Sequence, residues 1–146
     1  MDGEKIRAIM IVEVMGRPAE HVKDSLKTHL EQLKETKDAV IISESISDSK
    51  KIDDKDLYTC FAEIELEVKS LNKLSELVFD YMPSSIEIIR PDKVSLDIVE
   101  ATNFLNDLAG RLHKYDEIAK VANIRMQQMA AQNKELQNKI KELGKK

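Results

Sequence analysis

"LYTCFAEIELEV", residues 57–68, alternates without a fault: Cys60, Ala62, Ile64, Leu66 and Val68 on one side, Phe61, Glu63, Glu65 and Glu67 on the other. Successive side chains of a strand point to opposite faces, so this pattern predicts a half-buried strand with an acidic outer face. A strand of that kind needs neighbours that supply helices to its apolar side. The flanking sequence provides them.

On the N-terminal side lie the polar loop "DSKKIDDKD" (48–56) and a second apolar run, "DAVIISESIS" (38–47), read as a strand. Before them, "AEHVKDSLKTHLEQLKE" (19–35) repeats Val22, Leu26, Leu30 and Leu33 at helical spacing, which makes one apolar stripe. "KIRAIMIVEVMG" (5–16) is apolar on both faces, with Ile6, Ala8, Met10, Val12 and Val14 on one and Ile9 and Ile11 on the other. Its β-branched content predicts a central strand covered on both sides. Gly16 and Pro18 stop it, and Pro18 suits the first turn of the helix that follows.

On the C-terminal side, Ser70 can cap "LNKLSELVFDYM" (71–82), where Leu71, Leu74, Val78 and Tyr81 are expected to form the buried stripe. Pro83 ends that helix and "SIEIIRP" (85–91) is a short last strand. The order β-α-β-β-α-β is the split βαβ arrangement. Right-handed crossovers place the first and third strands in the middle of one sheet, with both helices on one face. The other face is then part apolar, part acidic. The fold class expected is α+β: a ferredoxin-like βαββαβ sandwich over residues 1–92, followed by a long C-terminal coiled-coil helix over residues 93–146.

That final segment carries a second regular pattern. With Ile98 at heptad position a, the a positions are Ile98, Leu105, Leu112, Ala119, Met126, Asn133 and Ile140. The d positions are Ala101, Leu108, Tyr115, Ala122, Met129, Leu136 and Leu143. Only Asn133 departs from apolar or Tyr, and the 3,4 spacing runs without a stutter, which predicts a left-handed supercoil. A single helix from about Val94 to Leu143 cannot hide such a stripe alone. A buried Asn at an a position is costly unless it meets the same Asn on a parallel, in-register partner, so a parallel homodimer is expected. Ile118, Val121 and Ile124 widen the apolar surface beyond a two-stranded seam. Arg111 and Asp116 stand at g and following e positions, suited to an interchain ion pair. The competing arrangement is intramolecular, with a break near Gly110 or residues 114–117 and the second half folded back. One Gly is thin support for such a turn.

Composition bounds the rest. With 42% hydrophobic and 34% charged residues but only 4% aromatic and no Trp, any core must be built from Ile, Leu, Val and Met. No apolar run approaches the roughly 20 residues that span a bilayer. The first residues lack the basic region and long apolar run of a signal peptide. The single Cys60 excludes an internal disulfide framework and fits a reducing compartment, so a cytoplasmic location without membrane contact is expected. Residues 1–100 hold 14 Lys/Arg against 22 Asp/Glu, net −8, whereas residues 101–146 hold 9 against 5, net +4. An acidic head with a mildly basic stalk results.

The strand-to-helix turn "VMGRPAEH" exposes backbone N–H groups at a positive helix end, suited to a carboxylate or phosphate. On Gly16, Arg17 and Pro18, residues 5–92 resemble the ACT-type regulatory domains, which share the element order and carry a "D-R-P-G"-like turn after the first strand. That resemblance implies a dimer formed through the sheet and a small carboxylate or amino acid bound near Gly16, Arg17, Pro18 and Ala19. Ala19 stands where the family has its second Gly, and no acidic residue precedes Arg17.

Chemistry-bearing patterns are otherwise weak. His21, His29 and His113 lack metal-ligand spacing. Cys60 lies on the apolar strand face, where an inert core thiol is expected. "DDKD" (53–56) lacks the Gly and terminal Glu of a calcium loop. No phosphate-binding Gly loop, nucleophile elbow or Ser/His/carboxylate pattern occurs, so no catalytic residue, metal or cofactor is expected. Lys134, Lys139, Lys141, Lys145 and Lys146 make the stalk end basic, and an RNA- or ribosome-associated role is a third expectation. Glu135 and Glu142 dilute it, and no basic–aromatic interleaving supports base reading. The leading expectation is a non-enzymatic, self-associating scaffold or regulatory protein, itself its first partner and another protein its second.

Overall fold

The computed structural model describes residues 4–145. The elements run β1 (Ile6–Gly16), α1 (Ala19–Glu35), β2 (Ala39–Ile46), β3 (Lys50–Lys51), β4 (Tyr58–Val68), α2 (Leu71–Tyr81), β5 (Ser85–Arg90) and α3 (Ile98–Gly144). The chain divides into two units, Met1–Ser95 and Leu96–Lys146.

The first unit is an antiparallel sheet ordered β2-β4-β1-β5, with β3 added beside β4. The two central strands are thus the first and the long alternating one, as in a ferredoxin-like arrangement. Their register, from Ile6 opposite Val68 to Gly16 opposite Tyr58, aligns the two apolar faces row by row. Ile6, Ala8, Met10 and Val12 of β1 and Cys60, Ala62, Ile64, Leu66 and Val68 of β4 are all at most 2% exposed. Val22, Leu26, Leu30 and Leu33 of α1 and Leu74 and Leu77 of α2 close the same core, so both helices lie on one face. No buried side-chain polar atom among the described residues lacks a partner.

Four sequence expectations need correction. β1 is covered fully on one face only, because Ile9 and Ile11 opposite the helices stay half-buried. The buried stripe of α2 runs through Leu74 and Leu77, with Leu71 and Tyr81 packed at its margin and Val78 half-buried. Leu77, one turn after Leu74, is 4% exposed and takes the core place expected of Val78. The polar loop contains β3, whose Lys50 and Lys51 pair with Thr59 and Tyr58. The long helix starts at Ile98 rather than Val94, because Asp97 caps it: Asp97 Oδ1 accepts from Glu100 N at 2.8 Å and Glu100 Oε2 from Asp97 N at 3.0 Å. That reciprocal pair satisfies two N–H groups at the helix end.

Ser70 caps α2 as its position suggests, accepting from Lys73 N at 3.2 Å. Met82 follows that helix in the left-handed region, φ 45°, and leads into Pro83.

Candidate functional site

α3 is one unbroken helix of 47 residues, on the order of 70 Å long at 1.5 Å per residue. It passes through Gly110 and residues 114–117 without a break, so the folded-back arrangement with a turn there is not adopted. The seam residues share one side of it at 3,4 spacing. Leu105, Leu112, Tyr115, Met126 and Met129 are 42–67% exposed, and Leu136, Ile140 and Leu143 are 57–72% exposed. Ala101 and Leu108 are half-buried; Ala119, Ala122 and Asn133 are exposed. No residue of the helix is buried.

The polar side is laced by contacts one turn apart. His113 Nε2 approaches Glu117 Oε1 at 3.3 Å, Lys120 Nζ binds Asp116 Oδ2 at 2.7 Å and Lys139 Nζ binds Glu135 Oε1 at 3.2 Å. Such pairs contribute a few tenths of a kcal/mol each to an isolated helix. Asp116, expected at an interchain pair with Arg111, meets Lys120 of its own helix within the single chain. Of the basic end, Lys134, Lys139, Lys141 and Lys145 lie on α3 or its cap, while Lys146 is outside the described residues.

The turn at Gly16–Ala19 sits in a shallow open depression lined by Arg17, Pro18, Ala19, Glu20, Asp56 and Tyr58. The β1–β4 register brings Tyr58 opposite Gly16, a tertiary juxtaposition with no local sequence signal. The Arg17–Pro18 peptide is cis, and Pro18 is the N-cap of α1 with no side-chain capping bond. Arg17 Nη1 lies 3.5 Å from Asp56 Oδ2, and both side chains are at least 69% exposed. With Glu20 in the first turn, the depression offers two carboxylates against one guanidinium, an unfavourable balance for a small anion.

The remaining candidates are scattered. His29 packs on Tyr81 with ring centroids 4.9 Å apart, and His113 belongs to the helix pair above. Burial raises the Tyr81 phenol. Cys60 is buried and donates to Ser47 O at 3.1 Å. On the open sheet face, Arg7 straddles the acidic row: Nη2 meets Glu67 Oε2 at 2.6 Å and Nη1 meets Glu65 Oε1 at 3.5 Å. The hydrogen bond from Arg7 holds the Glu67 carboxyl below the usual carboxylate range. Among the described residues no group of three or more His, Cys, Asp or Glu is placed to hold a metal ion, and no helix is long and apolar enough to cross a membrane. The capping pair Asp97 and Glu100 is the one feature of α3 that reading by heptads passes over; an acidic residue followed three places on by Glu, before an apolar run, signals it.

No curated protein and no solved structure matches the chain. The family model that does match covers residues 7–145, from β1 to the end of α3, and so takes in the sheet and the long helix together. The chain belongs to the MJ0538 family.

Proposed function

We propose that this protein is a non-enzymatic, self-associating scaffold or regulatory protein whose α3 helices pair as a parallel, in-register homodimeric coiled coil. The observation that carries the reading is the unbroken helix with an exposed apolar seam of regular pitch. Burying a Leu, Ile or Met side chain gains roughly 1.5–3 kcal/mol, and every heptad of the seam but the one holding Ala119 and Ala122 offers such a residue. An identical helix supplies matching knobs and holes along the whole length, and Asn133 opposite its own copy fixes the register. The assembly joins two copies of the α+β unit in one particle, which is the stoichiometric role proposed here.

A cysteine cross-link tests orientation and register. Leu136→Cys, at a d position, is expected to oxidise to a covalent dimer, whereas Asn138→Cys, at an outer f position, is expected to stay uncross-linked. Native Cys60, at 0% exposure, does not compete. Failure of Leu136→Cys to cross-link under conditions where both variants are folded would remove the parallel pairing.

A further inference from the structure

The seam leaves part of α3 unexplained. Ile118, Val121 and Ile124 are 49–55% exposed, yet none is an a or d residue: Ile118 is at g, flanking the seam, and Val121 and Ile124 are at c and f, on the outer side of a two-stranded coil. At 100° per residue they share a face with Glu117 and Arg125, well away from the centre of the a/d stripe. Glu117, Ile118, Val121 and Arg125 also line one shallow depression of the helix surface, with Ala122 beside them.

The order of these residues is symmetric in a way that selects an occupant. If two such helices lie antiparallel with Val121 against Val121, then Ile118 faces Ile124, Glu117 faces Arg125 and Lys114 faces Gln128, each twice. Within residues 114–128 each of these rows is apolar on apolar, acid on base, or base on neutral amide, and no like charges meet. Glu117 and Arg125 are eight residues, about 12 Å, apart along the axis, so both ion pairs form at the same crossing. Self-complementarity of this type is the requirement for an isologous two-fold contact. Within the single chain Glu117 meets His113 Nε2 at 3.3 Å, with both side chains mostly exposed.

We infer that the Glu117–Arg125 stripe of α3 is a second, antiparallel contact with another copy of this chain, through which coiled-coil dimers associate with one another. The inference builds on the parallel dimer, since that pairing uses the a and d residues and leaves Glu117, Val121 and Ile124 on the outside, with Ile118 and Arg125 at its flank. Each dimer then presents the stripe twice, on opposite sides, so the contact can repeat. Three apolar residues per helix make it a weak contact that grows with concentration.

Charge reversal tests it. Glu117→Arg and Arg125→Glu each put like charges opposite one another at both ends of the crossing, while the double reversal restores opposite charges. Sedimentation equilibrium of the full chain over a wide concentration range, at low salt, reads the result. The expected result is a wild-type mass that rises above the dimer with concentration, each single reversal weakening that step about tenfold and the double reversal recovering it. Val121→Lys, which sets an ammonium against its own copy, should hold the protein at the dimer. A wild type held at the dimer mass up to its solubility limit overturns the inference, and so does a rise that the single reversals leave unchanged. A wild type that is monomeric when dilute, and reaches a dimer sensitive to the reversals, keeps the stripe and removes the parallel seam.

Discussion

The two units treat an apolar pattern of equal regularity in opposite ways. In the α+β unit Ile6, Ala8, Met10 and Val12 of β1 and the inward residues of β4 from Cys60 to Val68 and of α1 end at 0–2% exposure, each row of one strand meeting its partner on the next. In α3 the seam from Leu105 to Leu143 is equally periodic, yet most of it stays 42–72% exposed. A period identifies which side of an element is apolar; what covers that side depends on the remainder of the chain, or on another chain. The sheet has α1 and α2 for its helical face. α3 has a stripe longer than either.

Substitutions should separate the two regions, and the largest effect belongs to the closed core. Leu26→Ala, at a site with 0% exposure, is expected to lower stability by about 2–5 kcal/mol in denaturant unfolding. Leu112→Ala, at 55% exposure, should leave the unfolding of the α+β unit almost untouched and instead weaken self-association, by about 2 kcal/mol or roughly thirtyfold. If Leu112→Ala costs the monomeric unit as much as Leu26→Ala does, the contrast between the regions disappears. Asn133→Leu should raise the thermal stability of the assembly while loosening its uniqueness, seen as higher or mixed oligomers by sedimentation.

Most of the α+β unit was legible in the sequence because its elements advertise themselves locally. The alternation at 57–68 and the 3,4 spacing at Val22, Leu26, Leu30 and Leu33 each depend on a handful of adjacent residues. What was not legible depends on partners distant in sequence. β3 is a strand only because Lys50 and Lys51 pair with Thr59 and Tyr58. Leu77 takes the core place expected of Val78, Tyr58 meets Gly16 through the β1–β4 register, and Asp56, in the loop before β4, lines the same depression as the Gly16–Ala19 turn. The start of α3 was readable, in Asp97 and Glu100, but a heptad count alone runs past it. The candidate seam was legible as a pattern of apolar residues; the pattern by itself does not say what covers it.

Smaller effects sharpen the comparison further. On the open sheet face the Arg7 hydrogen bond lowers the folded pKa of Glu67, so the pair stabilises above the ordinary carboxylate range and that contribution fades as pH falls through the lowered value. The stability gap between wild type and Glu67→Gln, measured by denaturant unfolding from neutral to acid pH, is expected to be constant near neutrality and to shrink on acidification. A gap independent of pH contradicts the pairing. In α3, an added Cβ at Gly110 meets nothing within 4 Å. Gly110→Ala should therefore stabilise the helix by up to about 1 kcal/mol without changing the mass of the assembly, visible as higher helix content on heating.

The cover proposed for the α3 seam is a second copy of the same helix. Sedimentation equilibrium of the wild-type chain, extended to the dilute end of its range, addresses this most directly. The mass predicted there is that of two chains; a single-chain mass at every concentration would contradict it.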